Sequence, residues 1–197
     1  VRVAWTALLR ADSWLLNGLI EGKAEEIERL LDRLLALAVS ADEPRATKAV
    51  RALGCAERYL LSHERIRHCI DSVWKRYARA SPALKKAILE METRLDLRGS
   101  LEHLLLALDE DDEKVLAEAA LHVGLLHQEA SSALPRLAKL LESSSDTVRR
   151  MSALSILRIL GKIREAPQGD VVQMARKELA EREAREDRSP LRPDLRQ

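Results

Sequence analysis

Phenylalanine is absent from the 197 residues, and aromatic side chains make up only 3% of the chain. Few rings are therefore present to stack on exposed bases, which weakens any reading as a single-strand nucleic-acid binder. Gly (7) and Pro (6) are scarce, while Leu, Ala, Glu and Arg dominate. That balance favours helix and argues against sheet. Two cysteines, Cys55 and Cys69, lie fourteen residues apart with no C-x-x-C pair. They are expected as buried thiols of a reducing compartment, hence a cytoplasmic location. No apolar run approaches the roughly 18 residues that span a bilayer. No basic stretch followed by an apolar one marks a leader. Neither a Gly-rich phosphate loop nor a G-x-S-x-G turn occurs. The formal net charge is +1, so the whole chain exerts no strong pull on nucleic acid or membrane.

What is present is apolar and repetitive. Hydrophobic residues make up 46% of the chain, enough for a sizeable core. Leu101, Leu104, Leu108, Val115, Ala120 and Leu121 recur as Leu134, Leu137, Leu141, Val148, Ala153 and Leu154, each 33 positions on without a gap. The stretches "DEDDEKV" and "ESSSDTV" fall in register as N-capping loops. Weaker copies lie upstream. Ile66, Cys69, Ile70 and Val73 match Leu101, Leu104, Leu105 and Leu108 at 35 residues, and Leu31, Leu34, Leu35 and Ala38 match again 35 further up. A period of 33 to 35 with two helices per unit is a solenoid signature.

The expected architecture is an all-α, right-handed α-solenoid of stacked helical hairpins, with nine to eleven helices and no strand. A helical cap at 1–30 carries Trp5 and Trp14. Repeats follow at 31–65, 66–100, 101–133 and 134–163. A charged helix and tail occupy 164–197. The helix after "SSSD" is apolar nearly all round, with Ala153, Leu154, Ile156, Leu157, Ile159 and Leu160. Such a helix must be covered on several sides. The serines and Asp146 are expected to cap it, and Gly161 to end it in a left-handed turn. Burial between layers is expected for Val115, Ala120, Leu121, Val148, Ala153, Leu154 and Leu157.

"SDTVRRMSALSILRILG" resembles the second helix of a HEAT repeat, with Asp in the turn, Val-Arg at the start, Ala in the middle and Leu-Gly at the end. "ALPRLAKLLES" resembles its first helix, and "DEPRATKAVRALG" (Asp42 to Gly54) is similar to the second helix more loosely. Resemblance is good over 101–163 and faint over 31–97. It implies a protein-binding scaffold; some members of the family bind nucleic acid instead, and a few are enzymes. Deoxyhypusine hydroxylases of this class hold iron with repeated His-Glu dipeptides. Here only His63-Glu64 occurs, and Glu102-His103 is reversed. HEAT-like bilin lyases have no counterpart in these motifs, and no catalytic carboxylate flanked by Trp, as in HEAT-like glycosylases, is evident.

His63 and His68 are five apart, as are His122 and His127, whereas a helical metal pair needs three or four. These histidines and His103 are expected as ordinary surface or interface residues. No metal, other cofactor or catalytic residue is expected. The carboxylates of Asp109 to Glu113 suit a solvated loop that supports a helix N-terminus; the spacing and glycine of a calcium loop are missing. Charge is segregated: residues 1–44 sum to −3, 45–98 to +7, 99–142 to −6 and 143–197 to +3. Lys48, Lys85 and Arg149/Arg150 fall near equivalent sites of three second helices. Together with Arg51 and Lys86 they form the candidate partner-binding set. The expected partner is another protein, through an acidic segment; nucleic acid is the alternative, and no membrane is expected.

Overall fold

A computed structural model describes residues 24–55, 62–163 and 169–188. These residues form nine α-helices and two 3-10 turns, and none is in a strand. The helices are α1 (Ala24–Ala38), α2 (Glu43–Gly54), α3 (His63–Trp74), α4 (Pro82–Leu95), α5 (Leu101–Ala107), α6 (Glu113–Leu125), α7 (Leu134–Leu140), α8 (Asp146–Ile159) and α9 (Val171–Arg188). The 3-10 turns are Tyr77–Arg79 and His127–Ala133. Most of the expected N-terminal cap, Trp5 and Trp14 included, lies outside the described residues, as does the tail from 189. The boundary expected at 30/31 falls inside α1. None of the described helices is long and apolar enough to cross a membrane. The chain divides into two packed units between Leu104 and Leu105.

In the first unit, local sequence sets the helix starts. The Asp42 carboxylate accepts the Arg45 N–H at 3.1 Å, and the Ser62 hydroxyl accepts the Arg65 N–H at 3.1 Å. Pro44 and Pro82 sit in first turns, where no amide donor is needed. Helix α1 buries Leu31, Leu34 and Ala38, a one-sided stripe, and packs on α2. Helix α2 packs in turn on α4. Polar links join the hairpins: Arg65 of α3 pairs with Asp32 and Glu28 of α1, and the Arg76 guanidinium donates to the Ala38 carbonyl at 2.8 Å. The Ser81 N–H donates to Glu43 at 3.1 Å, and hydrogen bonds from the Ser81 side chain and then its backbone hold the Glu43 carboxyl below its ordinary value.

Gly54 is the last residue of α2, and its backbone lies so near α4 that a Cβ would stand 2.8 Å from Met91 Cα. The missing side chain therefore permits the close approach. Cys69 is buried as expected, and burial raises its thiol pKa. Cys55 departs from expectation: it is exposed, because it follows the last turn of α2 on the solvent side.

The second unit centres on α8, which packs on α6, α7, α9 and the His127–Ala133 turn. That accounts for its apolar circumference: Val148, Ala153, Leu154, Ile156, Leu157 and Ile159 are all buried. Ser155 is buried too, and its hydroxyl donates to the Ala120 carbonyl of α6 at 2.6 Å. Gly124 repeats the close approach of Gly54: a Cβ there would meet Ser155 Cα at 2.9 Å. Val115 and Ala120 are buried as expected, but Leu121 is only half-buried, since it lies beside the α6 face that packs on α8.

Capping follows the sequence in part. Asp112 closes the acidic loop and accepts the Lys114 and Val115 N–H groups. Ser145, at the N-cap of α8, makes no side-chain cap bond; the loop is held instead by the Arg149 side chain. Gly161, at φ +68°, ends α8 as expected. The Gly161 N–H donates to Arg158 O and the Lys162 N–H to Leu157 O, the paired bonds of a Schellman turn.

Candidate functional site

Two features of the first unit carry the chemistry. One is the basic face seen in the sequence. Along α2, Arg45, Lys48, Arg51 and Cys55 are exposed at spacings of three or four, opposite the buried Ala46, Ala49, Val50 and Leu53. Lys85, Lys86 and Glu90 of α4 are half-buried and Arg94 is exposed. The two helices come into register where Gly54 meets Met91, 37 residues on. The same interval sets Lys48 level with Lys85. At the far end, an Arg94 N–H reaches Cys55 Sγ at 3.4 Å, so the solvent stripes of α2 and α4 adjoin. Glu90 pairs with Arg94 at 2.7 Å and Asp42 with Arg45 at 3.1 Å, which trims but does not cancel the positive charge.

The remaining candidates behave differently. Lys85 Nζ sits 5.3 Å from the Tyr77 ring centroid, a cation–π distance. Arg149 and Arg150 belong to the second unit. The Arg149 guanidinium donates to the carbonyls of Ser143 and Ser144 at 2.8 and 2.9 Å and pairs with Asp146 at 2.9 Å, so it closes its own loop. Arg150 is exposed.

The other feature was not anticipated. Glu92 of α4 is 2% exposed, yet it carries a carboxylate. The Trp74 indole N–H from α3 donates to Glu92 Oε2 at 2.5 Å, and His103 Nδ1 from α5 lies 2.6 Å from Glu92 Oε1. The imidazole stacks on the Trp74 indole, with centroids 3.9 Å apart and planes 20° from parallel. Tyr77 stacks on Trp74 as well, at 4.1 Å. Each carboxylate oxygen thus meets one donor, the least that a buried charge of this kind requires. Burial raises the Glu92 pKa, opposed by the bonds from His103 and Trp74. The bond to Glu92 raises the His103 pKa, opposed by partial burial.

His103, expected as an ordinary surface or interface residue, is part-buried between helices and meets a buried carboxylate. The signal was present in the spacing: Glu92 falls on the stripe of Leu84, Ile88, Met91 and Leu95, where a charge has no place without a partner. His122, also expected as a surface or interface residue, is buried in α6, with Nε2 3.1 Å from Glu118. The His63 side chain lies outside the described residues. Among the described residues, no three His, Cys, Asp or Glu side chains converge on a point that could hold a metal ion. Compared with known proteins, the chain matches no family model and no curated sequence.

Proposed function

We propose that the chain is a non-catalytic scaffold, a right-handed HEAT-like α-solenoid, that binds an acidic segment of another protein. What carries this reading is the adjoining of basic stripes on α2 and α4, with Lys48, Arg51, Lys86 and Arg94 at its centre. Helices that pack side by side are about 8–10 Å apart, so equivalent cations line up at a spacing one extended or helical partner can span. The stacking of α2 on α4, and of α6 on α8, supports the solenoid reading. The thiols of Cys55 and Cys69, neither in a disulfide, fit a reducing compartment such as the cytoplasm. A protein partner is favoured over nucleic acid because the two described aromatic residues, Trp74 and Tyr77, stack on one another, and Trp74 stacks on His103 as well.

The test uses the full chain with a fluorescent Glu/Asp-rich peptide and, separately, a single-stranded oligonucleotide. The peptide should bind, and binding should weaken as salt rises past about 0.15 M. The triple change Lys48→Glu, Arg51→Glu and Lys86→Glu should weaken it by about tenfold or more, with helicity unchanged. Unaltered affinity in a folded triple variant, or tighter binding of the oligonucleotide, would defeat the proposal.

A further inference from the structure

Helix α5 is seven residues long. Helices so short are not held by backbone propensity; they persist through tertiary contacts. Leu104 and Ala107 supply apolar ones. In its first turn, His103 supplies a polar one by reaching the buried carboxylate of Glu92, while its ring lies on Trp74. The His103 side chain keeps 31% of its surface exposed, so protons can reach it from solvent.

We propose that the Trp74–Glu92–His103 cluster is a proton-operated latch that fastens the first turn of α5 onto α3 and α4. With His103 protonated, imidazolium and carboxylate neutralise one another in a poorly solvated place. Once the imidazole loses its proton, the same volume holds a net negative charge. The other charged groups acting on the pair are also acidic: Asp71 on α3, Asp96 after α4 and Glu102 on α5. The Lys85 ammonium lies over the Tyr77 ring, which stacks on Trp74. Nothing in this arrangement replaces the lost proton, so α5 loosens on the alkaline side. The Trp74 N–H holds Glu92 in either state, so the switch resides in the histidine. The latch stands independently of the basic face, and either can fail without the other.

The direction is fixed by linkage. His103 binds its proton more tightly when docked than when released. The docking advantage is therefore complete below the ordinary histidine value of 6.5 and is lost as pH rises through the higher, docked value. Each unit between the two values weakens docking by up to about tenfold.

Two measurements on the full chain decide it. The first is the NMR titration of the His103 ring and of the Trp74 indole N–H, assigned with Trp5→Phe and Trp14→Phe variants. The second is hydrogen exchange of residues 101–107 between about pH 6 and pH 9, corrected for the intrinsic pH dependence of exchange. Protection of α5 should fall about tenfold or more, with a midpoint that coincides with the His103 titration above the ordinary value. His103→Gln keeps an amide donor but cannot titrate, so its protection should be flat over the same range. The latch is overturned if wild-type protection is flat, if its midpoint departs from that of His103, or if His103→Gln shows the same fall. Should that variant lose helicity, coincidence of the two wild-type midpoints decides alone.

Discussion

At the scale of single residues, the sharpest constraints are two hydrogens. Gly54 and Gly124 each let a neighbouring backbone approach to a distance that a Cβ would block. In both cases the obstructing atoms include a Cα, so relief requires a helix to move. Gly54→Ala and Gly124→Ala should each cost about 1–3 kcal/mol in urea denaturation, although alanine is the better helix former. An unchanged midpoint would mean that the helices yield without cost. Leu154, buried in α8, should cost about 2–5 kcal/mol on truncation to alanine. The half-exposed Leu121 should cost less, since less of it leaves water. Sequence alone could not rank these. It shows that Gly54 follows a leucine near a helix end, but not that Met91 passes beside it. Likewise, 33-residue periodicity aligns Leu121 with Leu154 yet says nothing of how each is rotated against its neighbours.

At the scale of helices, starts and stops were largely legible, because caps are local. Asp112 and Gly161 act where their residue types suggest. Asp112→Ala should cost about 0.5–2 kcal/mol by leaving the Lys114 and Val115 N–H groups without their acceptor. The serines before α8 misled, because a long arginine from the following turn took over the loop carbonyls. The Glu92 cluster was illegible for a different reason. Trp74, Glu92 and His103 come from three helices, and only their crossing makes a site. A glutamate on an apolar stripe announces a partner without naming it. The pair also sets a pH dependence for the fold. Burial raises Glu92 above its ordinary 4.5, and Glu92 raises His103 above 6.5. The folded chain thus binds protons more tightly at both sites. Their contribution is greatest below the lower ordinary value and declines as pH rises through both docked values. Glu92→Gln should flatten that decline in urea denaturation at a series of pH values; an equally steep decline would place the titrating groups elsewhere.

For the molecule as a whole, segregated charge and the 33-residue repeat were both visible in the sequence, and they led to an all-helical chain with a basic first unit. Raising ionic strength should weaken acidic-peptide binding while leaving thermal stability nearly constant, because exposed ion pairs contribute little to folding. A parallel loss of both would tie the basic face to the fold rather than to recognition. The links between hairpins carry a kinetic implication as well. Asp32 and Arg65 are 33 residues apart, Ala120 and Ser155 are 35 apart, and Ala38 and Arg76 are 38 apart. Each connection closes a modest loop, and none of these three joins distant parts of the 197-residue chain. Loops of this size cost little closure entropy, and the bonds within each helix are local, which favours fast folding. After a brief unfolding pulse that leaves prolyl bonds unscrambled, helical signal should return within about milliseconds in stopped flow. Recovery over seconds would show that the chain must first search for partners its own neighbourhood does not supply.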